Sequence, residues 1–342
     1  PLLAELAQAC LVGEVSHERY ELHDLVRSYG LELAEAIDEP AQRALVVART
    51  VAHYARVAMV AAVLVDPDRE RITPMPTECP ELSDHKEAAA WLSAEQQVCL
   101  RVMALSTREG LHDQTWKLAW ALTNHLQRRG QWGDWATALQ LGMQAAQQVD
   151  DPQARTFMHR FIGNANLRTG RLDEAKEHLE RVIQLTRRQG NHSGEALAHR
   201  GLAVRALSLK ETKLALTHNE AALELFRRAG NRAHEASTLN GIAWAHNLLG
   251  DPRKAIACAT QALAMARELG SVHTQAVTLD TLGVAHRSLG ELTQALACLD
   301  ESLVLHEQTG DRYYTALSLD NIGDVWSGLG EQERAVSFWQ RA

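Results

Sequence analysis

The sequence predicts an all-α chain. Its expected form is a right-handed solenoid of helical hairpins about 40 residues long, preceded by a helical linker and a short N-terminal β-then-helix segment. Three observations carry that expectation. First, Gly190, Gly230, Gly270 and Gly310 fall 40 residues apart, and Gly130, Gly170, Gly250, Gly290 and Gly330 keep the same period, with Lys210 in the one vacant slot. Second, Ala175, Ala215, Ala255, Ala295 and Ala335 repeat in phase, as do Ile162, Leu202, Ile242, Leu282 and Ile322. Each of that second series precedes a small residue: Gly163, Ala203, Ala243, Gly283 or Gly323. Third, stretches such as TLNGIAWAHNLLGDPRKAIACATQALAMARELG place apolar residues at i, i+3, i+4 and i+7 on both sides of a glycine-centred turn, the signature of a helical hairpin.

The elements follow in order. Residues 1–38 hold a short helix in PLLAELAQACLVGE, an alternating stretch, and a helix that starts near His23 and Asp24. The first residues lack an initiator Met and a basic leader, and read as the end of a fragment and not as a signal peptide. Residues 39–112 form a helical linker with a Pro-rich loop at 66–84. Residues 113–342 form the array: a degenerate unit at 113–150, then repeats at 153–190, 193–230, 233–270, 273–310 and 313–342. In each repeat the first glycine permits the left-handed turn that ends helix A, and the second ends helix B. The small residues let helices A and B approach closely, because a larger side chain would overpack the contact. One hairpin cannot bury its apolar face alone, so neighbours must stack.

Composition narrows the function. A chain of 342 residues is too long for one compact core. Net charge of −8 makes it a poor electrostatic match for nucleic acid, and no direct nucleic-acid binding is expected. The most apolar run, between Val57 and Val65, is too short to span a bilayer, so no membrane association is expected. Five widely separated cysteines without a CxxC fit a reducing, cytoplasmic setting. The 16 histidines include no HExxH; His246 and His286 repeat one position, as do Cys258 and Cys298, and no metal site is expected. Neither a phosphate-binding GxxxxGK[ST] loop nor a GxSxG nucleophile motif occurs, so this chain is not expected to be an enzyme or to hold a cofactor by itself.

The repeat resembles the tetratricopeptide repeat, with Leu282-Gly283, Gly290, Ala295 and Leu299 at the marked positions of that motif. It departs in length, 40 residues here against about 34. It also has His246, His286 and Trp326 where the consensus has Tyr, and it lacks the closing Pro. The resemblance implies that the A helices line a concave groove for a peptide, protein segment or small effector. Carried over position by position, the groove residues are Arg160, Arg200, Asn240, Asp280 and Asp320 in one row, Asn164, Trp244 and Asp324 in a second, and Asn247 and Arg287 in a third. The first row grades from arginine through amide to carboxylate, which suits an extended segment of fixed polarity.

The N-terminal residues PLLAELAQACLVGEVSHERYELHDLVRSYGLELA resemble the end of the winged-helix domain of NB-ARC-type STAND ATPases, most closely the bacterial transcriptional regulators of the actinobacterial antibiotic-regulator kind. AAAWLSAEQQ (88–97) and RRGQWGDWATAL (128–139) are similar to the helical linker that joins such ATPases to C-terminal repeats. The resemblance implies an upstream nucleotide-binding domain and ADP or ATP in the complete protein. Leu22, His23 and Asp24 match the family's Leu-His-Asp motif, and His23 would sit on the β-phosphate of ADP. An imidazole can donate to a phosphate oxygen, whereas Asp24 suits a role at the helix start. The implied function is a sensor and regulatory repeat region controlling a nucleotide switch. The alternatives left open are a stand-alone repeat peptide receptor or an interaction adaptor or scaffold. A homo-oligomer is possible through solenoid ends, whose apolar surface calls for further repeats or for contacts between copies.

Overall fold

The computed structural model describes residues 2–9, 11–16, 19–67, 69–76, 79 and 82–342. Positions 1, 10, 17 and 18 of the N-terminal segment and 68, 77, 78, 80 and 81 of the Pro-rich loop lie outside the described residues. The chain divides into two compact units, residues 1–149 and 150–342.

In the first unit, α1 (Leu2–Gln8) leads into an antiparallel pair, β1 (Val12–Ser16) and β2 (Arg19–Leu22), with Val12 opposite Leu22 and Glu14 opposite Tyr20. Next come α2 (Asp24–Ile37), α3 (Pro40–Val65), α4 (His85–Arg108), α5 (His112–Arg128) and α6 (Trp132–Gln148). The long helices α3 and α4 pack on each other and on α5, and α6 packs on α4 and α5. The hairpin α5–α6, expected as the first unit of the array, thus groups with the linker helices. Trp116 and Trp120 of α5 are wholly buried and anchor this core together with Ala58 of α3 and Met103 of α4. Burial of side chains this large stabilises by about 1.5–3 kcal/mol each.

The loop after α3 is held down by specific contacts. Arg69 donates to the Trp120 carbonyl at 2.6 Å and lies 3.6 Å over the indole, and Asn124 donates to Asp66 at 2.7 Å. Helix α4 begins with a reciprocal cap: Asp84 accepts from the Glu87 N–H at 2.8 Å, and Glu87 accepts from the Ser83 N–H at 2.9 Å. Helix α3, at 26 residues, is long and apolar enough by length and composition to cross a membrane, which corrects the expectation drawn from its most apolar run alone. It packs as a core helix, burying Val51, Ala55, Val57, Ala58, Ala61 and Ala62.

The second unit is five stacked hairpins: α7 (Pro152–Arg168) with α8 (Leu172–Gln189), α9 (His192–Ser208) with α10 (Thr212–Ala229), α11 (Arg232–Leu248) with α12 (Pro252–Glu268), α13 (Val272–Ser288) with α14 (Leu292–Thr309), and α15 (Arg312–Gly328) with α16 (Gln332–Arg341). The odd-numbered helices are the A helices and the even-numbered ones the B helices. Each B helix packs on the A helix of the next repeat; α7–α9, α11–α13 and α13–α15 also touch, and α9 is joined to α11 by the Arg200–Ser237 hydrogen bond.

The turns obey the glycine series. Gly190, Gly230 and Gly310 cap B helices with φ of 65–68°, and the next N–H bonds back to the last turn, as in Asn191 N–H to Thr186 O at 2.9 Å. Lys210, in the vacant slot, takes the same left-handed geometry, at φ 61°.

The small-residue series has a matching series across the hairpin. A methyl on Gly163 would lie 3.0 Å from Leu179 Cγ, on Gly283 2.5 Å from Leu299 Cγ, and on Gly323 2.5 Å from Trp339 Nε1. Where the A helix has alanine instead, at Ala203 and Ala243, the equivalent B-helix residue is smaller than leucine: Asn219 and Ala259. Each hairpin therefore divides one fixed space between its two helices.

Candidate functional site

His23 caps α2. Its Nδ1 accepts from the Leu25 N–H at 3.4 Å and its side chain is exposed. Asp24 pairs with Arg27 at 3.2 Å, and Arg27 also donates to the Leu22 carbonyl at 3.2 Å, so Asp24 braces the junction between β2 and α2 while His23 does the capping. Helix α2 has no buried residue, and Leu25, Tyr29 and Ile37 are exposed on it.

The expected groove residues lie along the A-helix layer in several environments. Arg160 is buried, its guanidinium 4.9 Å over Phe157 and 5.4 Å over Phe161. Asn164 is half-buried. Arg200 is half-buried and donates to Ser237 Oγ on α11 at 3.0 Å; burial holds its ionisation below the ordinary arginine range, while the nearby Tyr314 phenol acts in the opposite sense. Asn240 is half-buried, and its Oδ1 has no hydrogen-bond partner among the described residues. Trp244 is exposed, and Asn247 donates to the Thr281 carbonyl of the next repeat at 3.0 Å. Asp320 is exposed.

Three of the expected residues are engaged inside the array. Asp280 is buried: its Oδ2 meets His306 Nε2 at 3.0 Å and its Oδ1 accepts from Ser318 Oγ at 2.7 Å. Arg287 and Asp324, one repeat apart, close on each other in an ion pair. Of the two carboxylates in the graded row, Asp280 is taken up by contacts within and between repeats, because a buried carboxylate must find donors, while Asp320 stays exposed.

The structure brings forward residues that sequence reasoning passed over. Tyr314 at the head of α15 stacks on the fully buried His306 (centroids 5.2 Å apart, planes at 11°) and meets the edge of His273 at 5.5 Å. Burial raises its phenol, Tyr313, Asp311 and Asp280 raise it further, and Arg168 of α7 acts in the opposite sense. Equivalent histidines also pair across hairpins, His159 with His178 (Nδ1 to Nδ1 2.9 Å) and His199 with His218 (3.1 Å). Their recurrence at one spacing of 19 residues was visible in the sequence. His286 meets Glu291 at 2.6 Å, and Cys258 and Cys298 pack half-buried on the apolar cluster around Leu263 and Leu282, where burial raises both thiols.

A stacked layer of A helices over B helices, repeated on a glycine-punctuated period, defines a tetratricopeptide repeat array. The tetratricopeptide repeat family pattern matches residues 153–228, 206–268 and 274–342, more than half of the chain, and the chain belongs to that family. It is 28% identical over 208 residues to regulatory protein AfsR of Streptomyces griseus, an alignment covering 59% of this chain and 21% of the relative, so the chain corresponds to about a fifth of that protein's length. In fold it is similar to a STAND protein with a tetratricopeptide repeat sensor, PH0952 of Pyrococcus horikoshii (TM-score 0.54, 15% identity, 98% of this chain and 50% of that one). It is likewise similar to NprR in complex with its cognate peptide NprX (TM-score 0.54, 18% identity, 74% of this chain and 76% of that one).

Proposed function

We propose that this chain is the sensor and regulatory region of a STAND-type signalling ATPase that acts as a transcriptional regulator, and that its A-helix layer binds a peptide or protein segment. The observation that carries the reading is that layer. It holds an exposed indole, Trp244, between half-buried Asn240 and Asn247, with Arg200 one repeat before them and exposed Asp320 two repeats beyond Asn240. Amides can exchange hydrogen bonds with an extended backbone, and an exposed indole supplies apolar area with little conformational entropy to lose. Likeness to a named regulator, and in fold to a STAND sensor and a peptide receptor, supports it. ADP or ATP would be held upstream, and His23, at an exposed helix start, would donate to the β-phosphate in the closed state. Ligand in the groove would act by binding the open and closed states unequally, since equal affinity shifts nothing.

The test uses the complete natural protein. It is denatured, and released nucleotide is quantified for wild type and His23→Ala. Near-stoichiometric ADP that falls in the variant is the expected result. No nucleotide in either protein, or equal retention in both, rejects the switch and leaves the repeat array to carry the function.

A further inference from the structure

Two histidine pairs stand in one column of the array. His159 of α7 meets His178 of α8, Nδ1 to Nδ1, at 2.9 Å, and His199 of α9 meets His218 of α10 in the same way at 3.1 Å. Each pair ties an A helix to the B helix of its own hairpin, so no motif on a single helix, such as HExxH, announces it. The column is apolar in the other three repeats. Leucine and cysteine hold the equivalent positions in the next two (Leu239 and Cys258, Leu279 and Cys298), and leucine and phenylalanine in the last (Leu319 and Phe338), each within an apolar cluster. The hairpin packs without histidine at this place, so packing alone does not account for the two pairs.

The chemistry of the pairs is that of a chelate. Burial holds all four imidazoles below the ordinary histidine range, so at neutral pH they offer lone pairs and no charge, the form that binds metal. Bonds of about 2.0–2.1 Å to one ion put two nitrogens about 2.9 Å apart at a right angle and about 3.3 Å apart in a tetrahedron. The observed 2.9 and 3.1 Å fall in that span. All four side chains are half-buried, which leaves an entry path and room for water on the ion. Behind His199 the Glu195 carboxylate lies 4.0 Å from Nε2, on the side where an outer carboxylate keeps the ring proton and leaves Nδ1 free to ligate. Glu195 also pairs with Arg187 at 2.6 Å, which meets that arginine's charge. Glu180 favours positive charge at His218 and Glu177 at His178, whereas Arg181 opposes it at His159.

We propose that His159–His178 and His199–His218 are two-histidine sites for a divalent transition-metal ion of the kind imidazole selects, nickel, copper or zinc, held by the two Nδ1 atoms with water completing its shell. Among the described residues no third protein ligand joins either pair. A proton shared between the two Nδ1 atoms moves to Nε2 of the same ring when the ion enters, and no net proton is released. An ion held this way bridges both helices of a hairpin, so it binds the folded array in preference to the unfolded chain. The pair His199–His218, flanked by Glu195 and Glu180, is the tighter site. The proposal does not rest on the groove reading.

The test is calorimetric titration of this chain, free of any affinity tag, with nickel chloride, and with magnesium chloride as the control that prefers oxygen ligands. Wild type is expected to take two nickel ions and no magnesium. His199→Leu installs the residue that the later repeats carry, and is expected to leave one site; His159→Leu combined with His199→Leu should leave none. His218→Gln should weaken the tighter site at least about tenfold, which tests that pair without reliance on the folding of His199→Leu. His192→Gln, at an exposed histidine outside the pairs, should change neither site. Nickel should raise the urea midpoint of wild type and leave that of the double variant unmoved. One ion per chain, lost in His199→Leu, keeps the second pair and removes the first. Two ions still bound by the double variant, an equal loss in His192→Gln, no binding at millimolar nickel, or binding without a rise in the urea midpoint overturns the proposal.

Discussion

Gly283 offers a sharp test of how the hairpins are packed. A methyl group added there would lie 2.5 Å from Leu299 Cγ, 2.7 Å from Leu299 Cδ2 and 3.3 Å from the Ala295 carbonyl oxygen. Leu299 is fully buried against Ala295, Leu303 and Ile322, so it cannot swing clear. Overpacking of this kind costs about 1–3 kcal/mol, while exchanging glycine for alanine inside a helix returns about 1 kcal/mol. Gly283→Ala should therefore destabilise, by up to about 2 kcal/mol. Leu299→Ala should cost about 2–5 kcal/mol alone through the cavity it leaves. In that background the added methyl meets open space, and Gly283→Ala should stabilise by about 0.5–1 kcal/mol. The double variant has the pair that Ala243 and Ala259 already make one repeat earlier. The assay is urea unfolding of the four proteins, followed by far-UV circular dichroism, with the coupling free energy taken from the cycle. The expected signature is a change of sign between backgrounds. If Gly283→Ala destabilises equally in both, the approach to Leu299 is not what requires glycine, and the division of space between the helices is refuted.

Two further outcomes follow from the same geometry. Lys210 occupies a left-handed turn at φ 61°, which costs a non-glycine residue about 1–2 kcal/mol against the 0.5–1 kcal/mol of chain entropy that glycine loses. Lys210→Gly should raise stability by about 0.5–1 kcal/mol, read as a higher urea midpoint at unchanged slope. Burial holds His159 down to about 4, with His178 and Arg181 adding repulsion, and holds His125 down to about 4, with Arg129 and Arg128 adding to it. Between the ordinary 6.5 and about 4 the unfolded chain binds protons that the folded chain refuses, so stability rises with pH and is lost as pH falls through that window. Unfolding midpoints at pH 7.5, 6 and 5 should fall in that order, by about 1–2 kcal/mol per histidine at pH 5, and His159→Gln should flatten the slope.

The sequence by itself determined the helices, the turns and the stacking. The glycine series has one use, a left-handed residue at each helix end, and even Lys210 obeys it because the hydrogen bonds of the turn outweigh its strain. The apolar period placed Leu282 and Ile322 in the core for equally local reasons. His23 at the head of α2 was legible in the same way, since a helix start is set by adjacent residues.

Which side chains of the A-helix layer remain available was decided only by the tertiary structure. Asp280 and Asp320 occupy equivalent places in the sequence. Yet Asp280 is buried between His306 of its own repeat and Ser318 of the next, whereas Asp320 is exposed. Arg287 and Asp324 are 37 residues apart in sequence and close on each other in an ion pair, because successive hairpins stack with a small rotation that adds up along the array. A period repeats the backbone, but it does not encode that accumulated rotation. The pairing of side chains across repeats depends on the rotation, and with it the chemistry that the layer presents.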